Sequence, residues 1–361
     1  MSADAALAPP RATPRLGALT HGRDNNFQLI RLLAAAFVVL FHSYALTGRW
    51  THEPLWQLAH ELNFGALGVK CFFVISGFLV TQSWLARRAV VPFVAARALR
   101  IYPALVAAVV FTIVLAGISS ALPWSDYLAH PQTLDYAWRV ALGFEMVYRL
   151  PGAFPVNPFP HEVNGSLWTL PIELRLYIAV LAVGIAGLLA RRFAWLAAVC
   201  ALTALFAVRP DWFPLSPNDG VVRELALLFA LGSLAWVWRD AVPVSLLGAT
   251  VCVLLVAWNP GGLPRGALFA PLLAYVVLVA AYHPRLVWPA FNRVGDYSYG
   301  LYVYSFPVQQ TLMQRWPGLE PPGLLALALP LVLVVAAVSW HALERPALGL
   351  KSRFNEPRTS P

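Results

Sequence analysis

The sequence predicts an all-α, polytopic membrane protein with about ten transmembrane helices, and composition and the length of its apolar runs are what predict it. Of 361 residues, 59% are hydrophobic and 12% charged, against about 25% charged in an average soluble domain, so the apolar surface is too large for an aqueous core to hide. The apolar residues are also gathered into runs close to the roughly 20 residues that a helix needs to cross a bilayer. Proline, glycine and arginine punctuate those runs. They place spans at 27–46, 65–86, 103–121, 168–190, 192–208, 221–238, 242–258, 265–282, 297–315 and 322–343.

Residues 1–26 are rich in Ala, Pro and Arg and lack the apolar stretch of a signal peptide, so they read as a cytosolic N-terminal tail. A single membrane domain over 27–346 follows, with 347–361 as a cytosolic C-terminal tail. With the N-terminus inside, most of the 26 basic residues lie on the cytosolic side, as the positive-inside rule requires of a multi-pass inner (plasma) membrane protein with both termini in the cytosol. The net charge of +9 therefore reports orientation in the lipid bilayer, and nucleic-acid binding is excluded. Cys71, Cys200 and Cys252 fall inside spans, and no Cys/His spacing suggests a metal. The sequence carries no signal for oligomeric state.

The first span holds Arg31 and His42 with ten residues between them. Eleven steps of 100° bring the two side chains to within about 20° of one face, roughly 16 Å apart along the axis. A cation and an imidazole facing lipid would each be costly, so that stripe faces protein or a water-filled cavity. The fourth span, read inward from Trp168, places Glu173 at a depth similar to that of His42. A neutral imidazole oriented by a carboxylate suits a general base, while a structural polar pair joining two helices suits the same residues. Arg97 and Arg100, one turn apart at the inner mouth of the third span, fit either a bidentate phosphate clamp or a positive-inside anchor.

Other features are weaker. Lys70 reads as a snorkelling residue, and Arg175 has no assigned role. Phe72-Phe73-Val-Ile-Ser76-Gly77 offers small residues for helix packing or for the close approach of a thin ligand chain. Asn164-Gly-Ser166 fits a glycosylation sequon but abuts a span. The long outer segment from Leu122 to Ser166, with Trp124 and Trp138, reads as a functional loop or binding lid.

Taken together, these segments resemble the acyltransferase 3 family of membrane acyltransferases from Asn26 to Pro346. The resemblance rests on Asn26-Phe27-Gln-Leu-Ile-Arg31 through His42, on Gly68-Val-Lys-Cys-Phe72-Phe73-Val-Ile-Ser76-Gly77-Phe78-Leu79, and on Arg97-x-x-Arg100-Ile-Tyr-Pro103. Asn164-Gly-Ser-Leu-Trp168-Thr-Leu-Pro-Ile-Glu173, Tyr297-Ser298-Tyr-Gly-Leu-Tyr302 and Glu344-Arg-Pro346 complete it. It implies an O-acyltransferase that takes an acyl group, commonly acetyl from cytosolic acetyl-CoA, to a hydroxyl of a carbohydrate acceptor, with no metal. It further implies that His42 is the catalytic histidine and Arg31 its partner on the donor path. Arg97 and Arg100 would hold the phosphates of coenzyme A, and Phe72, Phe73 and Gly77 would shape the channel for its pantetheine arm. His42, assisted by Glu173, is then expected to remove the acceptor's hydroxyl proton.

Two departures from the family pattern stand out. Tyr304-Ser305-Phe306-Pro307 lacks the histidine that many relatives carry before this proline, and Lys70 stands where an acidic or polar residue is frequent. A transporter or flippase of lipid-linked glycan is the rival class. It would carry paired repeat halves, and the sequence has no internal repeat.

Overall fold

The computed structural model describes residues 13–22, 24–59, 62–215, 219–258 and 265–354, and among them every regular element is a helix. A helix is found at each expected span. They are α1 (Phe27–Leu46), α2 (Phe64–Leu85), α3 (Val90–Ser119), α4 (Leu170–Ile185), α5 (Arg192–Val208), α6 (Gly220–Val237), α7 (Leu246–Trp258), α8 (Arg265–Tyr282), α9 (Ser298–Arg315) and α10 (Pro321–Ser339). Six helical stretches among the described residues are long and apolar enough to cross a membrane, those that contain α1, α2, α3, α4, α6 and α10. The chain is a polytopic membrane protein.

Helix α9 is the exception that organises the rest, because its Ser305, Gln309 and Gln310 side chains are too polar to face lipid and are fully buried. It is walled in by α1, α3 and α10. The donor side of one amide is satisfied across helices: Gln309 Nε2 donates to the Val39 carbonyl at 3.0 Å and to Ser43 Oγ at 2.8 Å. That bond fixes α1 one residue away from His42.

Close helix contact is made by glycines. A Cβ on Gly77 would run into the Phe229 backbone of α6, and one on Gly232 into the Val74 backbone of α2. Gly77 is therefore a packing residue on the α6 side of α2, not a wall of the donor channel as the resemblance implied. The one-residue step from Ser76 turns it about 100° away from the ligand-facing stripe.

Several other expectations need correction. The N-terminal tail is partly docked: Leu16 is fully buried, its N–H donates to the Val242 carbonyl at 2.9 Å, and Val244 N–H donates back to Pro14 at 2.8 Å. Asn26 Nδ2 donates to Ala280 and Leu286, and its Oδ1 accepts from the Trp288 amide, so it organises the α8–α9 connection. At the other end, Arg345–Gly349 and Leu350–Phe354 pack against α3, so residues 347–354 are not a free tail. Both described ends lie at the same end of the bundle. Lys70 does not snorkel: its Nζ pairs with Glu224 at 2.7 Å, and the pair is mostly buried between α2 and α6. Arg175 is exposed and ties the Leu215 and Phe144 carbonyls together.

Replacing Gly77 with valine is expected to lower the stability of the detergent-solubilised protein by about 1–3 kcal/mol, the usual cost of overpacking. Gly349→Ala, with open space at its Cβ, is the control that leaves the thermal midpoint unchanged.

Candidate active site

The chain forms its charged site where α1, α3 and the start of α9 converge. The arginines of α3 are helical residues, since α3 begins at Val90 and runs through Pro103, so Arg97 and Arg100 project into the bundle from consecutive turns. Asp296, in the link before α9, accepts on one carboxylate oxygen from both Arg31 Nη2 at 2.7 Å and Arg100 Nη2 at 2.8 Å. Its other oxygen accepts from Ser298 Oγ at 2.5 Å. Burial alone would push this carboxyl up, but Arg100 and Arg31, with help from Ser298, hold it down to about 2.

Arg100 also faces the buried Glu344 at 3.7 Å, through a π-helical turn over Trp340–Glu344 that brings the carboxylate inward. Arg97 is different. Among the described residues it has no ion-pair partner, and its guanidinium lies over the Tyr177 and Phe93 rings at 5.8 and 6.0 Å from their centroids.

These arginines open onto a cavity of about 920 Å³ of atom-free space, part of it open to solvent. Phe72, Phe73 and Ser76 of α2 wall it on one side, and Glu173 and Tyr177 of α4 and Tyr302 of α9 on others. Its far end lies against Leu167 and Thr169. There the Thr169 and Tyr302 hydroxyls hydrogen-bond at 2.8 Å.

His42 stands just beyond that end. Its Nδ1 faces Ser166 Oγ at 3.5 Å, and its ring meets Phe306 edge-on with centroids 5.1 Å apart. Glu173 is not its partner: one carboxylate oxygen accepts from Ser76 Oγ at 3.0 Å and from the Tyr177 hydroxyl, and no hydrogen bond joins it to His42 among the described residues. The depth argument failed because the chain enters as a 3-10 turn, Gly165–Thr169, before α4 starts. Ser166, not Glu173, is level with the imidazole, and Glu173 lies roughly 12 Å further along the helix. Glu173 instead holds Tyr177 under Arg97.

The structure thus brings Arg31, Arg97, Arg100, Phe72, Phe73 and Glu173 to one cavity, leaves Gly77 out of it, and sets His42 behind its far wall. Sequence reasoning missed Asp296 and Ser166. Ser166 was visible only inside a sequon that Asn164 cannot serve, because that side chain is buried and donates to the Val303 carbonyl at 2.9 Å. Asp296, next to the Tyr297-Ser298 segment, offered a lone acid with nothing local to pair with.

Asp296→Asn removes the shared acceptor of two guanidiniums and is expected to destabilise the protein by about 3 kcal/mol, the lower end for a broken buried pair because both arginines keep some solvent contact. A carboxyl depressed from about 3.9 contributes its stabilisation above that value and loses it as pH falls through about 2. The difference between wild-type and Asp296→Asn melting curves should therefore be constant from pH 5 to 8. A difference that closes within that window contradicts the ion-pair assignment.

Comparison with known proteins supplies the identity of this arrangement. The family model described as "Acyltransferase domain" matches residues 24–341. Nodulation protein 10 of Rhizobium leguminosarum bv. viciae is 31% identical over 94% of this chain and 97% of its own. An O-acetyl transferase of Shigella phage Sf6 is 29% identical over 90% of this chain and 96% of its own. No solved structure matches the chain. A match over residues 24–341 covers Arg31, Arg97, Arg100, Asp296 and the imidazole, and the chain is a membrane-spanning enzyme of the acyltransferase family.

Proposed function

We propose that the protein is an O-acetyltransferase that moves an acyl group, acetyl foremost, from cytosolic acyl-CoA to a hydroxyl of an envelope or extracellular carbohydrate. The observation that carries this reading is the single cavity that begins among Arg31, Arg97 and Arg100 and ends at the turn whose Ser166 faces His42. An acyl-CoA is charged at one end and carries its thioester at the other, on a thin neutral arm. The arginine end suits the phosphates and the Phe72–Phe73 wall suits the arm, so that no phosphate need enter the apolar interior. The phage relative's name supports O-acetyl transfer. Placing the arginine end in the cytosol follows the positive-inside rule and puts the multi-pass chain in the plasma membrane with both termini cytosolic.

In this reading Arg97 is the principal phosphate contact, since Arg31 and Arg100 are already neutralised by Asp296 and Glu344. With its Nδ1–H donated to the Ser166 oxygen, the imidazole keeps the Nε2 lone pair for an acceptor hydroxyl. Nε2 takes the hydroxyl proton as the oxygen attacks the thioester carbonyl. The carbon–sulfur bond then breaks, and the thiolate leaves with that proton as the free thiol of coenzyme A, while the ester oxygen keeps the acyl group. Ser166 takes the orienting role that the sequence had suggested for Glu173.

Two variants of the full-length protein in nanodiscs test this. His42→Ala should lower release of free coenzyme A thiol from acetyl-CoA by about 10²–10⁴-fold, as removal of a general base does. Arg97→Gln should raise the KM for acetyl-CoA about tenfold with kcat little changed, the mark of lost ground-state binding. Wild-type turnover by His42→Ala overturns the mechanism.

A further inference from the structure

On the side of His42 away from the arginine mouth, a chain of rings leads to the surface. The imidazole meets Phe306 at 5.1 Å and 81°, and Phe306 meets Phe159 at 6.4 Å and 76°. Phe159 is 38% exposed, so the last ring of the chain is open to solvent. Beside this chain, Glu162 Oε2 lies 3.1 Å from the position of a Cβ on Gly165, and Gly165 immediately precedes the serine that faces the imidazole. Phe306 crowds the same point at 2.8 Å, so Gly165 is held between the ring and the carboxylate.

The Glu162 carboxylate is half-buried and, among the described residues, makes no hydrogen bond and no ion pair. Burial raises it above the ordinary range for a glutamate and the nearby Arg149, across an antiparallel bridge, pulls it back down. A buried helix residue fixes both groups. The Gln310 amide, fully buried, donates to the Phe159 carbonyl at 2.8 Å and to the Glu162 carbonyl at 2.7 Å. Asn157 Nδ2 donates in turn to the Gln310 carbonyl at 2.9 Å and to its Oε1 at 2.7 Å. The loop is stapled to α9 and is not a mobile lid. A rigid surface ring beside a free acceptor group is a preorganised recognition element.

We propose that Phe159 and Glu162 form the acceptor subsite: the apolar face of a sugar ring rests on Phe159, one of its hydroxyls donates to the Glu162 carboxylate, and a neighbouring hydroxyl is presented to His42. The chemistry selects a neutral polyhydroxylated ring, which offers a C–H face and a hydroxyl edge together. Arg149 and the exposed His161 stand against a cationic ligand at the same carboxylate. This subsite rests on the proposed acyl transfer and names where the acceptor enters it. It also accounts for Gly165, since any side chain there would push into the ring or the carboxylate.

The test uses the full-length protein in nanodiscs with acetyl-CoA and envelope polysaccharide extracted from cells lacking this protein. Glu162→Gln and Phe159→Ala should each raise the KM for polysaccharide about tenfold, and Phe159→Tyr should restore it. Both variants should leave the KM for acetyl-CoA and the slow, acceptor-free release of coenzyme A within about twofold of wild type, which a merely structural defect would not. Wild-type polysaccharide KM in both variants, or acceptor-free release falling in step with transfer, overturns the subsite. Absence of any His42-dependent release in the wild type instead overturns the acyl-transfer reading, and the subsite with it.

Discussion

The arginine end of the molecule depends on one carboxylate. Two guanidiniums brought into an apolar bundle are too costly to leave uncompensated, and Asp296 answers both with a single oxygen, drawing Arg31 of α1 and Arg100 of α3 to the start of α9. Three elements distant in sequence are thereby fixed at one point. Glu344 adds a second negative charge to Arg100, and the two arginines of the node line the cavity. What it leaves over is as important as what it joins: Arg97, one turn away on α3, lies over Tyr177 beside the same space and has no ion-pair partner among the described residues.

Helix α9 carries the consequences of that node to the opposite end. Asp296 and Ser298 sit at its start, Tyr302 bounds the cavity, Phe306 packs on the imidazole, and Gln309 and Gln310 bind α1 and the Phe159–Glu162 loop. A helix this polar survives only because protein surrounds it. Its polar side chains are therefore those that set the spacing between the arginine mouth, the imidazole and the Phe159–Glu162 loop. Shifting α9 along its axis would disturb all three together.

The sequence made the helices legible because bilayer crossing imposes a length and a composition that local reading detects. The Arg31–His42 stripe was legible for a similar reason, since helical period alone decides which side chains share a face. The rest depends on contacts between distant segments, for which periodicity has no signal. Glu173 was misplaced because a 3-10 turn precedes α4, so counting residues from the apparent surface gave the wrong depth. Gly77 suits helix packing by default and a ligand channel only by the resemblance, and the Phe229 backbone against it favours the packing role. Lys70 could not reveal Glu224, nor Asp296 its two arginines, because each pair spans well over a hundred residues. The tail residues Pro14 to Leu16 resembled any solvated terminus, and only the α6–α7 connection shows that they have a seat.

The central claim is that one cavity conducts a donor from the arginine node to the neighbourhood of His42. The most direct measurement is photo-crosslinking with a coenzyme A thioether bearing a diazirine at its acyl end, mapped by mass spectrometry on the full-length protein. The account predicts labels on Leu167 to Leu170, Tyr302 or the α2 wall around Phe72–Ser76, lost when excess acetyl-CoA competes. Labels confined to lipid-facing helices, or labelling that acetyl-CoA fails to suppress, would contradict it.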